Sequence, residues 1–85
     1  MIGTDTKKWA ETTREEIETI ATTVWAKKYT HEQLRAFQAN YTRSIEAISK
    51  RKDNEAIILI TAFQNMLDVA TRAIDFQQFG DWQAL

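Results

Sequence analysis

The one side chain whose unperturbed pKa places its charge change between about pH 5 and 8 is the single histidine, His31, which makes it available for acid–base chemistry without making it catalytic. His31 falls at a predicted helix start, in a polar turn with no serine near it in sequence. It reads as a solvated first-turn residue. Glu15, Glu16 and Glu18 form an acidic cluster, yet helix starts attract carboxylates through the macrodipole, and solvated first-turn acids account for them. Asp68 and Asp75 flank Arg72 at helical spacing, a ladder of exposed ion pairs rather than a reactive constellation. There is no glycine-rich phosphate loop, no paired-histidine metal motif and no nucleophile elbow, and cysteine is absent. The expectation is a chain without catalytic residues, metal site or cofactor, hence not an enzyme.

Two other groups of residues could bind. Lys7, Lys8, Lys50, Arg51 and Lys52 are predicted to gather around the start of the third helix, where free backbone amides favour an anion such as a phosphate. Arg72 is a further candidate. In the plainer reading Lys50, Arg51 and Lys52 complement the end of the second helix, with Asp5, Glu11, Asp53 and Glu55 offsetting their charge. Aromatic residues fall at the opposite end: Trp25, Tyr29, Phe76, Phe79 and Trp82, with Leu85 continuing the three-residue spacing. Rigid aromatic bodies with polar tips are enriched at interaction hot spots. They serve equally as a cap that folds the tail over the bundle. The separation of cations from aromatics argues against a nucleic-acid surface, which interleaves the two.

These residues must be positioned by helices. Proline is absent and glycine occurs only at Gly3 and Gly80, so the turn residues of a sandwich or barrel are missing and the chain reads as all-α. The longest apolar-periodic run is Asn54 to Phe79. One stripe is Ala56, Ile60, Phe63, Leu67, Ala70 and Ile74; beside it run Leu59, Ala62, Met66, Val69, Ala73 and Phe76. Together they cover roughly half the circumference, against about 100° for a surface helix, so this helix needs partners on two sides. Thr30 to Gln33 reads as a capping box with Tyr29 and Leu34 as its hydrophobic staple. Thr13 and Glu16 offer a second box. The apolar spacing Trp9, Thr13, Ile17, Ile20, Val24 runs straight through it, however, and favours an early start near Asp5. The predicted helices are 6–28, 31–51 and 54–79 with a tail at 80–85, in a single domain: an antiparallel hairpin or three-helix bundle with a long C-terminal helix. The eleven threonines are mediocre helix formers, so the first helix should be held by packing.

At 85 residues and net charge −1 the chain is small and has no global pull towards nucleic acid or anionic lipid. A core this size makes oligomerisation an expectation. The longest strictly apolar run, Ala56 to Ile60, is far short of the roughly 20 residues of a membrane span. The start Met-Ile-Gly-Thr-Asp lacks the layout of a secretion signal. A cytoplasmic protein without membrane association is expected. The leading functional expectation is a helical protein–protein interaction module, a homo-oligomer acting as an inhibitor or adaptor of the kind phages and mobile elements encode. The alternatives are an oligomeric sponge for an anionic small ligand such as a nucleotide, with Trp9 stacking on the base, and a structural subunit of a larger assembly.

Overall fold

The computed structural model describes residues 3–80, and side-chain surroundings for 6–79. In chain order the elements are α1 (Gly3–Ala10), α2 (Arg14–Ile20), a π turn (Ala21–Trp25), α3 (Ala26–Lys28), α4 (His31–Ile48), α5 (Asn54–Asp75) and a second π turn (Phe76–Gly80). No strand occurs among the described residues, and the class is all-α.

α5 is the element on which the others pack. α4 runs antiparallel to it: Gln38 meets Thr71 and Tyr41 meets Phe63, numbers rising on one helix as they fall on the other. α2 and α3 run parallel to it, Glu18 meeting Arg72 and Ala26 meeting Gln77. Buried Ile17 and Ala21, from the N-terminal segment, join Leu34 of α4 and Val69, Ala73 and Ile74 of α5 in the core, with Trp9, Trp25, Tyr29 and Phe37 packed around them. α1 also packs directly against α5. The two-sided apolar surface of α5 is thus largely taken up within one chain. Alanines at 56, 62, 70 and 73 are buried completely or nearly so, and their small size lets neighbouring backbones approach. Asn54–Phe79 is 26 residues long and contains an 18-residue window of mean hydropathy 1.3. Length and composition alone would suit a membrane crossing, although the longest strictly apolar run is only five residues; 33% of that window is buried inside the fold.

The first helix departs from its expected span. It is not continuous over 6–28 but breaks at residues 11–13. Thr13 is the N-cap of α2: its hydroxyl accepts from the Glu16 N–H at 3.2 Å, and the Glu16 carboxylate accepts from the Thr13 N–H at 3.0 Å. That reciprocal box satisfies two amides that a helix start leaves free, and it competes successfully with continued helix. Thr12 closes the preceding helix end, donating from its backbone to the Trp9 carbonyl (3.2 Å) and from its hydroxyl to the Lys8 carbonyl (2.9 Å). The break folds α1 back. Trp9 and Trp25 meet edge to face with ring centroids 5.9 Å apart, whereas sixteen residues of unbroken helix would separate their Cα atoms by about 24 Å.

The π turn at Ala21–Trp25 has a positional reason. Ile17, Ala21, Trp25 and Tyr29 are spaced by four, and each four-residue step of an α-helix drifts by about 40°, about 120° over three steps. A wider π turn takes back part of that drift, which keeps all four against the same core. Val24 is left 47% exposed, although the sequence places it on the apolar stripe. The Thr22 and Thr23 hydroxyls donate to the carbonyls of Glu18 and Thr19, as Thr42, Thr61 and Thr71 do four residues back in their own helices. Their polar groups are absorbed locally.

The Thr30 box forms, with Thr30 Oγ1 accepting from the Gln33 N–H and Gln33 Oε1 accepting from the Thr30 N–H. Leu34 is fully buried and Tyr29 packs on the same cluster, as a staple requires. α4 stops at Ile48, short of residue 51, because Ser49 and Lys50 turn and the Arg51 N–H donates to the Ile48 carbonyl.

Candidate functional site

The end of the molecule where α3 passes into α4 and α5 closes in its π turn holds most of the aromatic side chains. Trp25 lies edge-on to Tyr29 and to Phe37, each at 5.6 Å, and Tyr29 meets Phe37 at 4.8 Å. The chain of rings continues through Phe37 and Tyr41 to Phe63. Tyr41 is half-buried, and loss of water around its phenol pushes its pKa up, with a smaller contribution from Tyr29. Lys28 adds a cation over the Tyr29 ring at 5.4 Å.

Gln77 fastens this end. Its side-chain amide, partly buried, donates to the carbonyls of Ala26 (3.0 Å) and Tyr29 (2.8 Å). The Ala26 carbonyl is one that a helix end leaves without a partner, and the Thr30 N–H that would otherwise serve it is turned to Gln33. One side chain from the second π turn therefore ties the α3–α4 corner to α5. Beside this tie, Phe76 is 43% and Phe79 60% exposed. Trp25 and Tyr29 are turned mainly into the cluster, whereas Phe76 and Phe79 face outwards; Trp82 and Leu85 lie outside the described residues.

The candidate cations do not form one cluster. The Trp9 carbonyl accepts from Asn65 Nδ2 at 2.6 Å, and Asn65 lies about 16 Å along α5 from its start. The end of α1, with exposed Lys7 and Lys8, is thus held near the middle of α5 rather than at its N-terminus. Lys8 instead lines a cleft of about 560 Å³ between α1 and α2 with Trp9, Glu11, Thr12, Glu16 and Ile20. Arg51 forms a two-pronged pair with Asp53 (2.8 and 3.1 Å), which holds the Asp53 carboxyl below the usual range. Asp53 occupies the N-cap position of α5 without capping it, so a carboxylate already stands where a bound anion would. Lys50 and Lys52 are exposed. Arg72 is held in a bridge, donating to Asp68 at 3.0 Å on its own helix and to Glu18 of α2, with no ion pair to Asp75.

His31 accepts from Arg35 Nε at 3.0 Å, one turn along an exposed helix start. No group of acids and histidines suited to a metal ion occurs among the described residues. Gln77 and the exposure of Val24 were not legible in the sequence, because both depend on which residues the two π turns rotate outwards or inwards. No family model matches the chain, and neither curated proteins nor solved structures include one significantly similar to it.

Proposed function

We propose that this chain is a non-enzymatic helical protein-interaction module that self-associates through the end bearing Val24, Phe76 and Phe79. The observation that carries the reading is the outward placement of two phenylalanines, 43% and 60% exposed, beside a rigid aromatic cluster and a hydrogen-bonded corner. Large aromatic surface held on a stiff support loses little side-chain freedom when it is covered. In this reading the chain acts as an inhibitor or adaptor in the cytoplasm, the oligomer presenting a composite face to a second protein. The nucleotide-sponge reading is less favoured: Lys8 and Trp9 share a cleft, but Glu11 and Glu16 share it too, and two carboxylates against one ammonium repel a polyphosphate.

Light scattering across a concentration series is the test. Phe76→Ser with Phe79→Ser should keep the helical circular dichroism of the folded chain while lowering the mass-average oligomer towards the 9.9 kDa chain. An unchanged oligomer in the double variant would remove this end from the interface. A wild-type chain that stays at the monomer mass throughout would leave only a heterologous partner.

A further inference from the structure

We infer that α1 is an exchangeable element, and that the surface of α5 it covers accepts α1 from a second copy of this chain. The proposal concerns how copies associate but stands on residues other than Phe76 and Phe79. Three observations converge. First, α1 is joined to α2 only by the non-helical residues 11–13, and Glu11 and Thr13 are exposed there. Second, the apolar spacing Trp9, Thr13, Ile17, Ile20 runs across this joint as in an unbroken helix. Within the joint, the fold-back is held by the Thr13–Glu16 box and by the Thr12 bonds to the Trp9 and Lys8 carbonyls. Third, the ties that fix α1 in place are contacts with other parts of the chain: Asn65 to the Trp9 carbonyl, the Trp9 and Trp25 rings, and packing on α5.

Straightening the joint exchanges one set of local bonds for another. The capping box is lost, and the four amides at the start of α2 gain carbonyl partners one turn back. Residues 3–28 become one helix of about 39 Å, matching the 26 residues of Asn54–Phe79. In that shape α1 cannot reach its own place on α5, since Trp9 moves about 24 Å from Trp25. A second copy offers the identical surface and the identical partners. Exchange of an element between protomers regains the lost packing, with the joint as hinge.

The test joins hinge variants to a direct measurement on the wild-type chain. Thr13→Ala removes the cap from an exposed position and should raise the dimer association constant by about thirtyfold, because each of two hinges loses a cap worth roughly 1 kcal/mol. Glu16→Ala, which removes the other half of the box, should shift the equilibrium in the same direction. Wild-type labelled and unlabelled chains, unfolded together and refolded at high concentration, should give isotope-filtered NOEs between Trp9 of one copy and Trp25 of the other. Hinge variants that keep native circular dichroism and remain monomeric would overturn the proposal. So would Trp9–Trp25 NOEs confined to single chains in the refolded wild type, whatever the variants do. Phe76→Ser with Phe79→Ser separates the two interfaces, because it leaves exchange intact.

Discussion

At the scale of single residues, Gln77 carries more of the structure than its polarity suggests. It is partly buried and serves two carbonyls from a corner about fifty residues away in sequence. Gln77→Ala leaves both without a donor, and the expected loss is about 1–3 kcal/mol, read as a lowered urea midpoint at unchanged slope. Thr71 plays a related part between α4 and α5, its hydroxyl donating to the Leu67 carbonyl while accepting from Gln38 at 3.0 Å. Arg72 contrasts with both. Its partners Glu18 and Asp68 are 60% and 42% exposed, so Arg72→Met should cost less than about 1 kcal/mol and the difference should shrink in high salt. Leu34→Ala is the severe change: the side chain is fully buried, and a cost of about 2–5 kcal/mol consumes a large share of the stability of a domain this small.

Among the elements, the two capping boxes differ in one respect that pH exposes. Thr30 is paired with an uncharged glutamine, Thr13 with Glu16. The hydrogen bond from the Thr13 backbone, then that with its hydroxyl, lowers the Glu16 pKa below 4.5. A lowered folded-state value means that the stabilisation is fully present above the unfolded value near 4.5 and is lost as pH falls through the folded value. Amide exchange at the start of α2 should therefore accelerate relative to the start of α4 as pH drops below about 4.5, and Glu16→Gln should abolish the difference. The same elements show what could be read in advance. Caps are local, and Thr30, Gln33, Tyr29 and Leu34 stand in the sequence in the order they occupy in the fold. The break at 11–13 was also written there, as Thr13 and Glu16. It was outweighed by an apolar spacing that crosses the joint because Trp9 packs against Trp25 from a folded-back helix. The π turns were not readable: they arise where residues spaced by four must share one core, a condition set by packing against α5. For the same reason the cations of α1 were expected at the start of α5 and instead lie near its middle.

For the molecule as a whole, the arrangement depends on one helix. α4 packs on α5, α1 packs on α5, and α2 with its π turn packs on α5. Replacing Ala62, 1% exposed, by leucine should push neighbouring backbones apart and cost about 1–3 kcal/mol, a loss felt by the whole cooperative unit. The order in which the chain is made gives this dependence a further meaning. A ribosome delivers α1, α2, α3 and α4 before the surface against which they assemble. Helices in proteins draw most of their stability from tertiary packing, so folding waits for α5, and a chain halted before Asn54 lacks the surface on which the others pack. Synthesis and folding are then separated in time. During that interval the Trp9, Trp25 and Phe37 side chains of neighbouring nascent chains are free to meet one another, and the first long-range partner each finds can belong to another copy.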